Sequence, residues 1–570
     1  MKRLYIKIIQ WMLNHSYYTP EILLLLFDKI AWSSKELLED AIIGIKPKVL
    51  LHLSRKKLMW VFWSSIKETP ALKKYYKDNN FNTDEIHNIS DFYKIPQTTK
   101  LNYISRYSLE DRCRRGKLPK IGIIFKSAGV AGERTYWSQS ISEEKRFSVF
   151  VPFGLEYLFK YSKKDYHILN CWAFGTWPTA IDFTKAAQEC GRMINIGPNI
   201  NETIETIIKL RNIHEYLISG YPPYLRNLIL EGKSKGLNWS DYKIDILTGG
   251  ESFVEEWRDL LQKELGGNSI IISAYGSTDK GLGEGIETPL TIVIRNILRI
   301  FQLSITSIND ANQCVENIFK KQNIIGIPNK SEIIKFYQNY FKQDLNSDLR
   351  IPMLFQTDPL TYYHETVNKN ESINNKNEIA TTALKPYASQ PVIRYNIEDE
   401  SGWITYDELL NGLYKLGIDP LELIKYIPHG SIKTLPYPFY YVYGRSSGMI
   451  SIDGVNIFPE EVGRMIENIK IGNLLNSFKL EVTKDYKICI YLELKQDVNI
   501  KLDNIYSDDI RNSLINLSPG YRVLVNEKLP SSELKIILNS FGEGVFSKSP
   551  SVNPYIVKYQ YVGSKILGHH

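Results

Sequence analysis

Several short stretches, far apart along the chain, carry the residues whose types and spacing could do chemistry. One is Lys126-Ser127-Ala128-Gly129-Val130-Ala131-Gly132-Glu133-Arg134-Thr135, directly after the apolar run Ile121–Phe125. A strand feeding a glycine-containing turn can aim backbone N–H groups inward. It also lets the chain approach a polyanion with no Cβ in the way. In a chain with 35 glycines a Gly-x-x-Gly turn is also an ordinary loop, so it acquires meaning only with the other stretches. No Gly-Lys-Ser/Thr follows at Walker spacing.

A second stretch, Thr248-Gly249-Gly250-Glu251, ends the apolar run Ile244–Leu247. A glycine pair there would let a flat ring lie on bare backbone; otherwise it is a strand-to-helix turn. A third, Ala274-Tyr275-Gly276-Ser277-Thr278-Asp279-Lys280-Gly281, follows Ile270–Ser273 and brings an aromatic face, a hydroxyl and a carboxylate together. That set can stack a base, bond a phosphate oxygen and hold Mg²⁺; the plain alternative is a polar turn. In the fourth, Val392-Ile393-Arg394-Tyr395-Asn396-Ile397-Glu398-Asp399, a carboxylate at a strand end can accept both hydroxyls of a ribose. The fifth and longest runs from Gly444-Arg445-Ser446-Ser447-Gly448 through Asp453-Gly454-Val455-Asn456-Ile457-Phe458-Pro459-Glu460-Glu461-Val462.

The elements that must hold these stretches follow from periodicity. Residues 1–100 read as mostly helical. From Ile121 to about Gly285, short apolar runs (Ile168–Trp172, Tyr216–Ser219, Ile244–Leu247, Ile270–Ala274) alternate with amphipathic stretches such as Ile204–Arg211 and Val254–Leu265. Strand–helix alternation predicts a layered α/β unit. Residues 286–380 read as a helical, polar insertion with an exposed Asn/Lys-rich loop over 368–377, and strand character returns at Pro391–Tyr395. A boundary falls at 444–448. Beyond it Phe458-Pro459-Glu460-Glu461 opens a helix, with proline in its first turn and acids at its positive end.

Bulk properties set bounds. At 570 residues the chain exceeds one core, so about two or three domains are expected. Its 43% hydrophobic and 23% charged residues are those of a globular protein. The 37 tyrosines fit pocket walls or merely an A/T-rich genome. A net charge of +7 suits a small polyanion and does not call for nucleic acid. Five scattered cysteines and nine dispersed histidines give neither a disulfide framework nor zinc spacing, and His569-His570 reads as a tag remnant. The N-terminus is a poor signal peptide, and Leu290–Leu303 is broken by Arg295 and Arg299. A cytoplasmic protein without stable membrane insertion is expected.

Taken in order, the stretches resemble the adenylate-forming superfamily, specifically the phenylacetate–coenzyme A ligase family, over roughly residues 90–540. That family's motifs run like Ser-Ser-Gly-Thr-Thr-Gly-Lys-Pro-Thr, Tyr-Gly-x-Thr-Glu-x-Gly, Ile-Arg-Tyr-Arg-Thr-Gly-Asp and Gly-Arg-Ser-Asp-Asp-Met-Ile-x-x-x-Gly-Val-Asn-Val-Phe-Pro. The resemblance implies an α/β fold: a large multi-layer domain over 101–444, after the helical segment 1–100 and with 286–380 inserted, and a small mobile α+β lid over 445–570. It implies a reaction in which a carboxylate attacks the α-phosphorus of ATP. A thiol, usually coenzyme A, then displaces AMP.

Carried over residue by residue, Ser127, Gly129 and Gly132 would cradle phosphates. Gly250, Glu251, Tyr275 and Gly276 would border the adenine, Thr278 would bond the α-phosphate, and Asp279 would take the family glutamate's place on Mg²⁺. Asp399 would hold the ribose and Arg445 the hinge, while Trp172, Phe174 and Trp177 would line the acyl pocket. The catalytic lysine stays open between Lys535, in Leu529-Pro530-Ser531-Ser532-Glu533-Leu534-Lys535, and Lys558. The implied partners are a small carboxylic acid, with an acyl carrier protein and a second copy of the chain also compatible.

Departures from the pattern are specific. Ala128, Val130 and Ala131 stand where hydroxyls are usual, and Glu133-Arg134 replaces Lys-Pro. A hydrogen bond to a charged group contributes about 1.5–3 kcal/mol, so losing two weakens ATP binding by roughly two to four powers of ten. Ile397-Glu398 replaces Thr-Gly, and Ser446-Ser447 replaces acidic hinge residues. Three expectations follow: an active acid–thiol ligase, a homologue without turnover that binds or scaffolds, or an adenylating enzyme with an amine, hydroxyl or carrier-protein acceptor.

Overall fold

A computed structural model describes residues 1–15, 19–127, 135–211, 213–321, 324–346, 348–368, 377–445, 450–452, 455–483, 487–526, 528 and 530–547. Its centre is an 11-stranded sheet. A hairpin of β1 (Gly122–Lys126) and β2 (Tyr136–Ser140) stands apart from it. The sheet comprises β3 (Tyr166–Asn170), β4 (Arg192–Asn195), β5 (Glu215–Gly220), β6 (Lys243–Gly249), β7 (Ile271–Ser277), β8 (Gly281–Ile286), β9 (Met353–Gln356), β10 (Tyr362–Asn368), β11 (Asn377–Ala383), β12 (Tyr395–Ile404) and β13 (Phe439–Arg445). Its order is β10-β11-β12-β13-β9-β8-β7-β6-β5-β3-β4.

The sheet has two characters. From β4 to β7 the strands are parallel, and from β7 to β10 each neighbour is antiparallel. The parallel half is connected by helices Pro178–Ala187, Ile200–Leu210, Pro222–Ser234 and Glu255–Glu264. In this half β3 buries all its residues, the polar His167 and Asn170 included. The β6 and β7 strand ends, where the parallel half meets the antiparallel half, form the kind of crevice in which open α/β sheets bind ligands.

Residues 1–100 are mostly helical, beginning with Lys2–Asn14, Glu21–Ala31, Lys35–Ile43, Pro47–Glu68 and Pro70–Asp78. Within 286–380, the helix Pro289–Thr306 runs through the main core, with Ile294, Ile297, Leu298 and Phe301 fully buried. Arg295, the residue that interrupts its apolar run, is also fully buried. It pairs with Glu255 at 2.5 Å and Glu287 at 3.1 Å, and Arg258 bonds the same two carboxylates at 2.9 and 2.8 Å. Burial alone would raise the Glu255 carboxyl; Arg258 and Arg295 outweigh it and hold the group down at about 2. The polar loop expected over 368–377 lies almost wholly outside the described residues. No helix among the described residues is long and apolar enough to cross a membrane.

After β13, a separate core forms around Ile450, Ile457, Val462, Leu480, Ile490 and Leu514. It comprises the pair β14 (Ile450–Ile452) and β15 (Val455–Ile457), the sheet of β16 (Leu475–Val482), β17 (Ile488–Leu494) and β18 (Leu534–Asn539), and flanking helices. Proline opens the helix Pro459–Asn468, as the sequence indicates. This unit touches the larger one through polar contacts. The Arg226 guanidinium meets Glu467 at 2.8 Å and donates to the Gly472 carbonyl at 3.0 Å, and Arg464 meets Glu256 at 3.3 Å.

Candidate active site

The third and fourth stretches converge. Tyr275 sits near the end of β7 and Asp399 within β12, and the Tyr275 hydroxyl donates to Asp399 Oδ2 at 2.8 Å. The relation repeats with roles exchanged: the Tyr395 hydroxyl, from β12, donates to Asp279 Oδ2 at 2.7 Å. Two bonds thus tie segments more than a hundred residues apart across the antiparallel strands. The β7–β8 pairing slips between Tyr275 and Ser277, placing an irregularity at Gly276. Such bulges re-aim side chains beside a site, and here the turn carrying Thr278 and Asp279 follows immediately.

The half-buried Tyr275 ring is flanked by Phe355 and Tyr440, with centroids 5.4 and 5.2 Å away. On the neighbouring strand end Gly250 adopts φ 84°, and a Cβ there would stand 3.1 Å from the Tyr221 ring, so the position suits glycine on two counts. Glu251 follows it, close enough for its charge to act on the Tyr221 hydroxyl. Arg445 closes β13 in register with Asp399, which puts the backbone of the proposed hinge beside the proposed ribose ligand.

Beneath this arrangement lies a polar network that the sequence did not reveal. Lys280 is fully buried and pairs with Glu284 on β8 at 2.7 Å. Thr381 on β11 donates to Glu284 at 3.0 Å, and His364 on β10 lies 3.2 Å from Thr381 and 3.0 Å from Thr357. Burial first and Lys280 second push the His364 imidazole well below its ordinary value, so it is neutral. The network fixes the base of the Thr278–Asp279 turn from three strands. Arg394, central to the fourth stretch, also serves architecture. It has φ 44°, its guanidinium pairs with Glu365 at 3.0 Å, and it donates to the Ile95 carbonyl. That conformation delays β12, which starts at Tyr395 and not at Pro391.

Thr278 and Asp279 open onto a cavity of about 110 Å³. Its walls include Phe125 and Trp137 of the β1–β2 hairpin, Phe147 and Phe150 of the helix Ile141–Phe159, and Tyr362 and Tyr387. The aromatic residues chosen from sequence sit elsewhere: Trp172 is buried edge-on against Tyr221 at 5.7 Å, Phe174 is 39% exposed, and Trp177 precedes the helix Pro178–Ala187. None of the three is among the residues lining this cavity.

The first stretch is described only at its ends. The Ser127 amide donates to the Thr135 carbonyl at 2.8 Å, and the two hydroxyls lie 2.9 Å apart. The Ser127 hydroxyl therefore clamps the loop base. Gly129 and Gly132 lie outside the described residues, as does Lys558. Lys535 is an exposed residue of β18, paired in register with Cys489.

The donor set fits a magnesium ion in the manner of phosphate-transfer sites. No cluster of His, Cys, Asp or Glu among the described residues makes a protein-only metal cage. Mg²⁺ at such sites needs only one or two carboxylates besides the substrate's phosphates, and Asp279 is a carboxylate that lines the cavity.

No family model matches the chain, and no curated protein matches it in sequence. Solved structures match its fold. 2-Hydroxyisobutyryl-CoA ligase, in the postadenylation state with R3-HIB-AMP, superposes with a TM-score of 0.57 at 11% identity, over 91% of this chain and 89% of that one. The same ligase with 2-HIB-AMP gives a TM-score of 0.57 at 12% identity over the same shares, 91% and 89%. GH3.15 acyl acid amido synthetase gives 0.50 at 11% identity, over 86% of this chain and 87% of that one. The mixed α/β architecture is the fold of adenylate-forming enzymes.

Proposed function

We propose that this chain is an AMP-forming acid–thiol ligase of the phenylacetate–coenzyme A ligase branch. It would activate a carboxylic acid as the acyl-adenylate and pass the acyl group to a thiol, coenzyme A being the expected acceptor. The observation that carries this reading is the double tie between β7 and β12: Tyr275 to Asp399 and Asp279 to Tyr395. Only together do these segments offer an adenine border, a ribose acid, a hydroxyl and a metal carboxylate around one cleft.

In this reading Asp399 accepts from the ribose hydroxyls, oriented by Tyr275. Gly250 and Tyr275, at neighbouring strand ends, border the adenine. The substrate carboxylate attacks the α-phosphorus; the bond from that phosphorus to the bridging oxygen breaks, and pyrophosphate leaves with the electron pair. Thr278 donates to an α-phosphate oxygen as charge builds there. Asp279 would hold Mg²⁺, which when bound supplies countercharge to the phosphates. The thiol then attacks the acyl carbon, and the bond to the AMP oxygen breaks. Arg445 is the hinge about which the small unit turns, and either Lys535 or Lys558 would come to the α-phosphate from that unit.

A second reading has a specific basis. Ala128, Val130, Ala131 and Glu133 strip the phosphate loop of hydroxyls and add negative charge, and the Ser127 hydroxyl is engaged by Thr135. A chain that binds an acid or nucleotide without turnover would show these changes.

Pyrophosphate release with Mg·ATP and a panel of aryl and short aliphatic acids separates the two, with hydroxylamine trapping any adenylate whatever its natural acceptor. Acid-dependent release with hydroxamate formation supports the ligase. No release, together with no thermal shift at millimolar ATP, supports the second reading.

A further inference from the structure

We infer that the cavity beside Thr278 is built for a compact hydroxycarboxylic acid, its carboxylate held by Lys385 and its hydroxyl by Asp182, Gln139 and Gln390. The inference rests on the adenylating reading for the fate of that acid, and goes beyond it in naming the acid's chemistry.

The cations lining the cavity differ in their state. Arg146 meets Asp28 at 2.5 Å and lies over the Tyr387 ring, and Lys280 is paired with Glu284. Lys385 has no carboxylate within 4 Å among the described residues; its Nζ donates to the Tyr362 hydroxyl at 2.6 Å. Glu143 and Glu284 act on this ammonium, opposed by Arg146, without a contact within 4 Å, so a ligand carboxylate in direct contact would offset part of the cost of its burial. The position is apt. A Cβ built on Gly281 would stand 3.1 Å from Lys385 Nζ, so the ammonium lies against the backbone of the turn that carries Thr278 and Asp279. Gly281, at φ 96°, leaves the room this approach needs.

Elsewhere on the same cavity wall three buried polar atoms lack partners: Asp182 Oδ1, Gln139 Oε1 and Gln390 Nε2. Asp182 and Gln390 are only 3% and 5% exposed. Their other atoms fix their orientation: Gln139 Nε2 donates to Asp182 Oδ2 at 3.3 Å, and Gln390 Oε1 accepts from the Ser138 amide at 3.3 Å. The unmet groups are therefore Asp182 Oδ1, a donor when the carboxyl is protonated, an acceptor on Gln139 and a donor on Gln390. Buried polar atoms are almost always satisfied, by protein, ligand or ordered water, so a ligand group that displaces water from this wall must answer the same atoms. A ligand hydroxyl, with one hydrogen and two lone pairs, answers all three when Asp182 is protonated: it accepts from Asp182 Oδ1 and Gln390 Nε2 and donates to Gln139 Oε1. An ammonium only donates and leaves the Gln390 amide hydrogens unmet. An alkyl group answers none. The cavity, at about 110 Å³, is smaller than the ~150 Å³ that admits benzene, which favours a compact acid over a long acyl chain.

Burial raises the Asp182 carboxyl to about 7 and lowers the Lys385 ammonium to about 8. Carboxylate capture needs the charged ammonium, so kcat/KM for the acid should fall as pH rises above about 8.

The test compares matched compact acids on the full chain: 3-hydroxybutyrate, butyrate and 3-aminobutyrate, and lactate against propionate and alanine. Calorimetric binding is read alongside pyrophosphate release. The hydroxy acid of at least one set should be favoured by about 10- to 100-fold. Asp182→Ala should shrink that preference below about threefold with KM for ATP unchanged, and Gln390→Met should do so partly. Lys385→Met should raise KM for every acid by at least about 10-fold, while Lys385→Arg should restore binding and remove the fall near pH 8. Equal use of hydroxylated and unsubstituted acids, a preference for the amino acids, or an unchanged KM in Lys385→Met overturns the inference. Hydroxy-selective binding without pyrophosphate release keeps the site and overturns the enzyme; release without selectivity does the reverse.

Discussion

Two buried polar clusters in this chain are treated in opposite ways. Around Arg295, each charge meets its opposite: Arg258 and Arg295 share Glu255 and Glu287, and all four side chains are buried. In the cavity beside Thr278, Lys385 has no carboxylate within 4 Å among the described residues, and Asp182, Gln139 and Gln390 each keep one unmet atom. Both clusters bear the cost of taking polar groups out of water. The closed set recovers it within the protein and so reads as architecture. The open set recovers it from water or from a ligand, which is why the proposed acid site is placed there.

The contrast can be broken most forcefully at the catalytic rim. Asp279→Ala should abolish acid-dependent pyrophosphate release, and Thr278→Val should lower kcat by about 10²–10³, the usual cost of one donor to developing charge. Thr278→Val should melt as the parent does in a thermal scan, and Asp279→Ala, which removes the acceptor of the Tyr395 hydroxyl, should melt somewhat lower while remaining folded. The closed cluster should behave in reverse. Arg295→Met leaves Glu287 and Glu255 short of a partner and should cost about 3–5 kcal/mol in denaturant unfolding; whatever folds should retain the parent's KM for ATP.

A subtler effect lies where the two units meet. Burial raises Glu460 to about 7, against the pull of Arg350, and Glu461 to about 8, although Ser518 and the Phe458 amide oppose it. Asp348 and Glu400 add negative charge nearby. The folded chain thus binds more protons than the unfolded chain from the ordinary carboxyl range up to about pH 8. Stability contributed at low pH is lost as pH rises through 7 to 8. Denaturant midpoints at pH 6 and 8.5 should show the fall, and Glu461→Gln should flatten it. The smallest change expected is Gly250→Ala, which strains a φ of 84° against the Tyr221 ring. It should cost about 1 kcal/mol, measurable by thermal scan, with a rise in KM for ATP.

The fold was open to inspection in the chain because its parallel half obeys local rules. Ile168, Tyr216, Ile244 and Ile270 each begin or fall within apolar runs that became β3, β5, β6 and β7 or their edges. The long Gly444–Val462 stretch marked the passage to the second unit. The Pro391–Arg394 run misled: its composition is that of a strand, but Arg394 is held at positive φ by Glu365, a contact from another strand. The cleft was half legible. Tyr275, Thr278, Asp279 and Asp399 lie in recognisable stretches, so their meeting could be expected. Lys385, Asp182, Gln139, Glu284 and His364 belong to no pattern. They come from separate strands, a helix and the loop after β11, and only the tertiary fold brings them together. The aromatics clustered at 172–177 are visible in the sequence, while the walls of the cavity beside Thr278 are dispersed from Trp32 to Val392.

The central claim is that β7 and β12 enclose an acid-activating nucleotide site. Exchange of labelled pyrophosphate into ATP reports adenylate formation directly and needs no acceptor. The account predicts exchange that depends on added acid and Mg²⁺ and disappears in Asp279→Ala and Asp399→Ala. Exchange absent with every acid tried, or exchange that survives both substitutions, would contradict it.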